Sequence, residues 1–182
     1  YTPTLVVAYG GLGGENYWYQ ESEIAEHPRL ELFVPPVVLE RFRRAIKAPD
    51  ADWNHVAVAR GAKFLTDAGV RVNIGAHGQR EGLAAHWEIW MLAQGGMSPL
   101  EALRAATING AIYIGMDKEL GSLAPGKLAD LFVVEGNPLE QIRATEQVRF
   151  TRIDGRLYDA RTMERVGGKP RPPLWWVTPA KK

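Results

Sequence analysis

The sequence predicts an α/β fold, and three stretches carry that prediction. Thr2–Gly10 is a short, continuously apolar strand of the kind found where helices cover both faces of a parallel sheet. Gly69–Glu88 reads as strand, polar glycine-rich loop and helix, the unit that places chemistry at the carboxyl end of a buried strand. From Leu120 onward, strand and turn signals replace helical ones.

Taken in order, Thr2–Gly10 is followed by the run Gly10-Gly11-Leu12-Gly13-Gly14, which breaks the chain into a loop. The run lacks the Lys-Ser/Thr or the regular spacing of a phosphate cradle. Tyr17-Trp18-Tyr19 follows, either lining a pocket or packing on a neighbouring element. His27-Pro28 belongs to a loop and reads as a surface histidine. Pro35-Pro36 opens a helix to about Ala45, with Val38, Leu39, Phe42 and Ile46 at helical spacing. Asp52 or Asn54 caps the next helix, which runs to about Ala68 and carries His55 in its first turn as a surface residue.

Val70, Val72 and Ile74 alternate with polar residues, and Gly75-Ala76-His77-Gly78-Gln79-Arg80 forms the loop behind them. His77 is the side chain there that can bind a metal or move a proton near neutral pH. A helix follows over Leu83–Gln94, with Leu83, Trp87, Trp90 and Met91 as its buried stripe. His86 and Glu88 lie about 200° apart on it and form no ligand pair. Ser98-Pro99-Leu100-Glu101 combines a capping box with proline at the first helical position. Thr107–Ile114 makes a second short helix, capped by Gly115. Beyond it come a turn at Pro125-Gly126, a strand over Ala129–Val134 and a turn at Gly136-Asn137-Pro138. Val148–Ile153 and Arg156–Ala160 form a hairpin about Asp154-Gly155, a strong type I′ signal. Glu164-Arg165-Val166 adds an edge strand, and Trp175-Trp176 of the proline-rich tail docks on the body.

Composition bounds the function classes. The 182 residues carry a net charge of +1, which gives no electrostatic footprint for nucleic acid or an anionic membrane. No apolar run approaches the roughly 20 residues of a membrane helix. Zero cysteine excludes disulfides, thiolate ligands and a cysteine nucleophile.

Four segments together resemble one family. Met97–Thr107, reading Met-Ser-Pro-Leu-Glu-Ala-Leu-Arg-Ala-Ala-Thr, is similar to its penultimate helical motif. Leu120–Val134 carries the signature Leu-Gly-Ser-Leu-Ala-Pro-Gly-Lys-Leu-Ala-Asp-Leu, and Asn137-Pro138-Leu139 with the Asp154-Gly155-Arg156 hairpin completes the match. The chain resembles the C-terminal part of the metal-dependent amidohydrolase superfamily, nearest to its imidazolonepropionase-like and prolidase-like branch.

The resemblance implies the last strands and helices of a (β/α)8 TIM-like barrel plus part of a small β-sandwich. Residues 1–118 would hold barrel strands 7 (Thr4–Tyr9) and 8 (Val70–Gly75) with the helices after them. Residues 119–168 would form the sandwich part and 169–182 an extended tail. It also implies a divalent metal, zinc by preference, and hydrolysis of an amide or cyclic amide carbon–nitrogen bond by metal-activated water. Members use a His-x-His pair on the first strand, further ligands on middle strands, and an eighth strand ending Gly-Thr-Asp. This sequence holds no His-x-His, and the last motif reads Gly75-Ala76-His77.

His77 is therefore the candidate catalytic base and metal ligand of an intact parent, with Gln79 and Glu81 as weak neighbours. Tyr9, Trp18 and Gln79 are candidate substrate contacts by position, with core or rim packing as the alternative. The first methionine is Met91, so residues ahead of Tyr1 are expected. The chain alone is expected to lack hydrolase activity and a tight metal site. A non-catalytic binding or assembly module is the competing reading. Two lone barrel strands leave open edges, so a homo-oligomer or a missing N-terminal partner segment is expected, with a small-molecule or peptide-like substrate in the parent.

Overall fold

The computed structural model describes residues 1–8, 11–43, 46–80, 82–170 and 172. The helices are α1 (Gly14–Glu21), α2 (Pro28–Phe33), α3 (Pro36–Leu39), α4 (His55–Asp67), α5 (Leu83–Gln94), α6 (Pro99–Ala105) and α7 (Ile108–Tyr113). A three-stranded antiparallel sheet follows, in the order β1 (Leu131–Val134), β2 (Val148–Ile153), β3 (Arg156–Asp159).

The core is built around α5. Its bounds match the sequence expectation, but its packing does not. A single buried stripe was expected; instead Leu83, Ala84, Trp87, Glu88, Ile89, Trp90, Met91 and Leu92 are all buried. A helix apolar all round belongs inside a protein, and α5 packs against α4, α6 and the 3-10 turns Leu5–Val7 and Ile142–Glu146. Gly95 sits so tightly on α4 that an added Cβ would stand 2.5 Å from Ala59 Cβ. Trp18 of α1 completes the aromatic centre, stacked on Trp87 at 6.3 Å and edge-on to Trp90 at 5.0 Å.

The first expected strand is not a strand. Residues Leu5–Val7 of Thr2–Gly10 form one 3-10 turn, entered through Thr4 at φ 52°. Its N–H groups go to local carbonyls, Val7 to Thr4 at 3.2 Å and Ala8 to Leu5 at 3.1 Å. Residues 70–76 likewise carry no assigned ladder. One relationship of the expected kind remains. Tyr1 N donates to Arg71 O at 2.7 Å and Tyr1 O accepts from Asn73 N at 2.8 Å. Bonds to both neighbours of Val72 are the pattern of a parallel pair. A strand needs a partner along its length to satisfy its backbone, and among the described residues this rung is all that either segment finds in the other.

Other local readings hold closely. Ser98 Oγ accepts from Glu101 N at 3.3 Å while Glu101 Oε2 accepts from Ser98 N at 2.7 Å, the reciprocal capping box. Asp154 at φ 49° and Gly155 at φ 71° make the type I′ turn between β2 and β3. The expected edge strand is a single bridge, Tyr158 to Arg165. The long helix expected from Pro35 is α3 followed by a 3-10 turn over Glu40–Arg43. Its expected end at Ala45, and Trp175-Trp176 of the tail, lie outside the described residues.

Sheet and helices meet through the Ile142–Glu146 turn. Arg29 Nη2 donates to Glu146 O at 2.6 Å, and Arg143 places its guanidinium 5.0 Å from the Trp18 ring centroid. Among the described residues no helix is long and apolar enough to cross a membrane.

Candidate functional site

The loop that carries His77 leaves the 70–76 segment beside the Thr2–Thr4 stretch. Gly75 fits only because it lacks a side chain: a Cβ there would stand 2.6 Å from both Thr2 Cγ2 and Thr4 Oγ1. His77 follows at φ 55°, exposed, within a turn closed by Gln79 N donating to Ala76 O at 3.0 Å. A left-handed backbone is uncommon outside glycine and concentrates at functional loops. Gln79 stands half-buried in the same turn, so the structure brings these two candidates together.

The other candidates lie apart from them. Trp18, expected as a pocket residue, is only 1% exposed and belongs to the aromatic core. Bulk and planarity put it there, since burying a large ring outweighs presenting it. Tyr9 and Glu81 lie outside the described residues.

Two histidines differ from their expected surface positions. His55 is fully buried, because its place in the first turn of α4 faces α5. Gln94 Nε2 donates to Tyr17 Oη at 3.2 Å, which leaves Gln94 Oε1 to accept from His55 Nε2 at 3.1 Å. Burial lowers the His55 pKa. His27 is half-buried and caps α2, its Nδ1 accepting from Leu30 N at 3.4 Å. Burial and then Arg29 lower its pKa.

The charged residue that composition and spacing passed over is Glu88. It is fully buried on α5, with Oε1 accepting from Val6 N at 2.7 Å and Oε2 from Gly75 N at 3.5 Å. Burial raises its pKa to about 7, against the opposing pull of the Val6, Gly75 and Leu5 N–H groups. The available signal was a lone carboxylate inside Leu83–Leu92, a run otherwise apolar apart from His86. His86 faces Phe132 edge-on at 6.4 Å, and burial with Arg29 nearby lowers its pKa to about 4.

Among the described residues no three His, Asp or Glu side chains gather closely enough to hold a metal ion. His77 alone does not make a metal site, and the described residues around it do not complete one. One concavity lies apart from it. A groove of about 900 Å³ is lined by Asn73, Ile74, Tyr113, Leu123, Asp130 and Phe132 among others, and His77 is not part of its wall. Asn73 Oδ1 is buried in that wall and meets no hydrogen-bond donor among the described residues.

The signature residues Lys127 and Asp130 bind turns of the chain. Lys127 Nζ donates to Leu120 O at 3.0 Å, to Ser122 Oγ at 2.8 Å and to Asp117 O, gathering the 117–122 stretch. Asp130 Oδ1 accepts from Asp154 N at 2.9 Å and so ties β1 to the β2–β3 turn. Residues 39–158, which include both ties, match the model of the Amidohydrolase family.

The chain belongs to the Amidohydrolase family. Members are generally metal-dependent. This amidohydrolase chain is similar to ochratoxinase of Aspergillus niger, at 35% identity over 95 residues, 52% of this chain and 19% of that protein. It is similar to imidazolonepropionase of Symbiobacterium thermophilum at 59% identity over 39 residues, 21% of this chain and 9% of that protein. A crystal structure of a Xaa-Pro dipeptidase with bound methionine in its active site superposes with a TM-score of 0.57 and 26% identity, covering 88% of this chain and 34% of that one. The amidohydrolase chain thus spans about a third or less of each of these relatives.

Proposed function

We propose that this chain is the C-terminal portion of a metal-dependent amidohydrolase acting on carbon–nitrogen bonds of a small-molecule or peptide-like substrate. Residues 1–118 form the end of its (β/α)8 barrel, residues 119–168 part of its β-sandwich and 169–182 an extended tail. The observation that carries this reading is the family match over residues 39–158, which spans the helices around α5 and the sheet together. The parallel rung between Tyr1 and Val72 supports it as well, because neighbouring strands of such a barrel run parallel.

In the intact enzyme His77, at the end of the 70–76 segment, serves as general base or metal ligand, with Gln79 beside it as a substrate contact. The remaining ligands come from chain outside these residues, since His77 stands without an acidic or histidine cluster among the described residues. The apolar groove below the sheet and the undonated Asn73 Oδ1 favour a further chain packing there, a missing N-terminal segment or a second copy. By itself the chain is without hydrolase activity.

The test is metal analysis and dipeptidase and amidase assays on the purified chain with and without added zinc. Sub-stoichiometric metal and no turnover are expected. One tightly held divalent ion per chain, or turnover, would overturn the inactivity of the chain alone. A non-catalytic assembly module is the second reading, favoured by the isolation of His77. Light scattering showing a monodisperse monomer at high concentration counts against it.

A further inference from the structure

Glu88 puts a carboxylate at the centre of an apolar helix and gives its two oxygens to two distant parts of the chain. Oε1 takes the Val6 N–H at 2.7 Å and Oε2 the Gly75 N–H at 3.5 Å. We infer that Glu88 is a positioning residue, whose two oxygens pin the Leu5–Val7 turn and the entry to the His77 loop to one helix.

The geometry asks for a carboxylate. Both groups facing it are donors, and only a carboxylate offers an acceptor on each oxygen. An amide in its place would turn an NH₂ group toward one of those N–H groups. Among the described residues no cation acts on Glu88: the groups that do are the N–H groups of Val6, Gly75 and Leu5. The charged and titratable side chains on the elements packed against α5 are not among them. These are Glu15, Tyr17, Tyr19 and Glu21 on α1, His55, Arg60, Lys63 and Asp67 on α4, Glu101 and Arg104 on α6, and Arg143 and Glu146 on the 142–146 turn, together with His86 on α5 itself. Burying a carboxylate without a cation is costly, and two backbone N–H bonds offset part of that.

The pin acts where the backbone is crowded and turned. A Cβ on Gly75 would press on the side chains of Thr2 and Thr4, and Thr4 and His77, each two residues from a pinned position, have φ of 52° and 55°. Glu88 touches neither His77 nor any reacting atom. It sets where the loop starts, and the loop sets where the imidazole stands.

The inference rests on the functional reading only in taking the His77 loop as the rim of the site. The experiment reads backbone amides rather than turnover, so its failure leaves the hydrolase reading untouched. Amide hydrogen exchange is followed by NMR at Val6 and Gly75 in the chain and its Glu88→Gln variant, with Gly95 and Ala102, bonded to Met91 O and Ser98 O, as references. Glu88→Gln is expected to speed exchange at Val6 or Gly75 by about tenfold or more over the references, the loss of one charge-assisted bond. Uniform acceleration, or none, overturns the inference. If the variant does not fold, the parent chain decides. There the Val6 and Gly75 amides, which have no backbone acceptor among the described residues, are expected to exchange as slowly as the references, and free exchange at both overturns the inference.

Discussion

Trp90 Nε1 donates to Thr145 Oγ1 at 2.8 Å and also lies 3.1 Å from Ile142 O, so one indole joins the buried helix α5 to the turn that leads into β2. Thr145 is 1% exposed, and its hydroxyl has no access to water. Thr145→Val keeps the shape and removes one acceptor while Ile142 O remains. A loss of about 1 kcal/mol is expected. Trp90→Ala removes the donor and the packing and is expected to cost about 3–5 kcal/mol. Urea unfolding of both variants checks the ratio; equal costs would mean that the indole packing contributes little.

Two glycines of the helical layer make a matched pair. Gly95 touches Ala59 of α4, whereas Gly61, inside α4, has open space where a Cβ would go. Gly95→Ala is expected to destabilise by about 2–3 kcal/mol through overpacking. Gly61→Ala is expected to stabilise by about 0.5–1 kcal/mol through helix propensity and a less flexible unfolded chain. Thermal unfolding of the two variants should shift in opposite directions. A shared direction removes the close approach of α4 and α5 as the cause.

Glu88 and His86 give opposing pH dependences. The Glu88 pKa is raised from 4.5 to about 7, so the folded chain holds that proton more tightly than the unfolded one. Its contribution is full below about pH 4.5 and is lost as pH rises through 7, a difference of roughly 3 kcal/mol. His86 runs the other way. Its pKa falls from 6.5 to about 4, so its contribution is present above 6.5 and is lost as pH falls to 4. Between pH 4.5 and 6.5 the two oppose each other. Relative to the parent chain, His86→Asn should therefore tilt the slope between pH 7 and 5 toward greater stability at low pH and Glu88→Gln toward less, with the buried His55 and His27, which act in the sense of His86, present in both variants. Urea midpoints across that range check both slopes, and parallel slopes would refute the assignment.

Lys127 and Asp130 hold turns, so their loss should register in stability of the sheet end of the chain. Asp130→Ala leaves Asp154 N without its acceptor, and about 1 kcal/mol is expected. Lys127→Met removes bonds to Leu120 O, Ser122 Oγ and Asp117 O, and about 1–2 kcal/mol is expected. Hydrogen exchange should quicken at the β2–β3 hairpin in the first variant and at residues 117–122 in the second. Unchanged exchange in both would leave the signature without its structural explanation.

Local chemistry was legible in the sequence. The Ser98–Glu101 capping box, the Asp154-Gly155 turn and the bounds of α5 each depend on a few neighbouring residues, whose φ preferences and hydrogen-bonding groups act over one turn. The family resemblance was legible for the same reason, since Lys127 and Asp130 sit in a contiguous signature. What the tertiary structure alone decided concerns partners remote in sequence. Whether Thr2–Gly10 and 70–76 become strands depends on neighbours along their edges, and the described chain supplies one rung, Tyr1 to Val72. Whether a tryptophan lines a pocket or fills a core depends on what α5 brings to Trp18, which is Trp87 and Trp90. Glu88 found its role the same way, because two backbone N–H groups far apart in the chain converge on it only after folding. Short-range preferences are written in adjacent residues; burial and pairing are set by which segments meet.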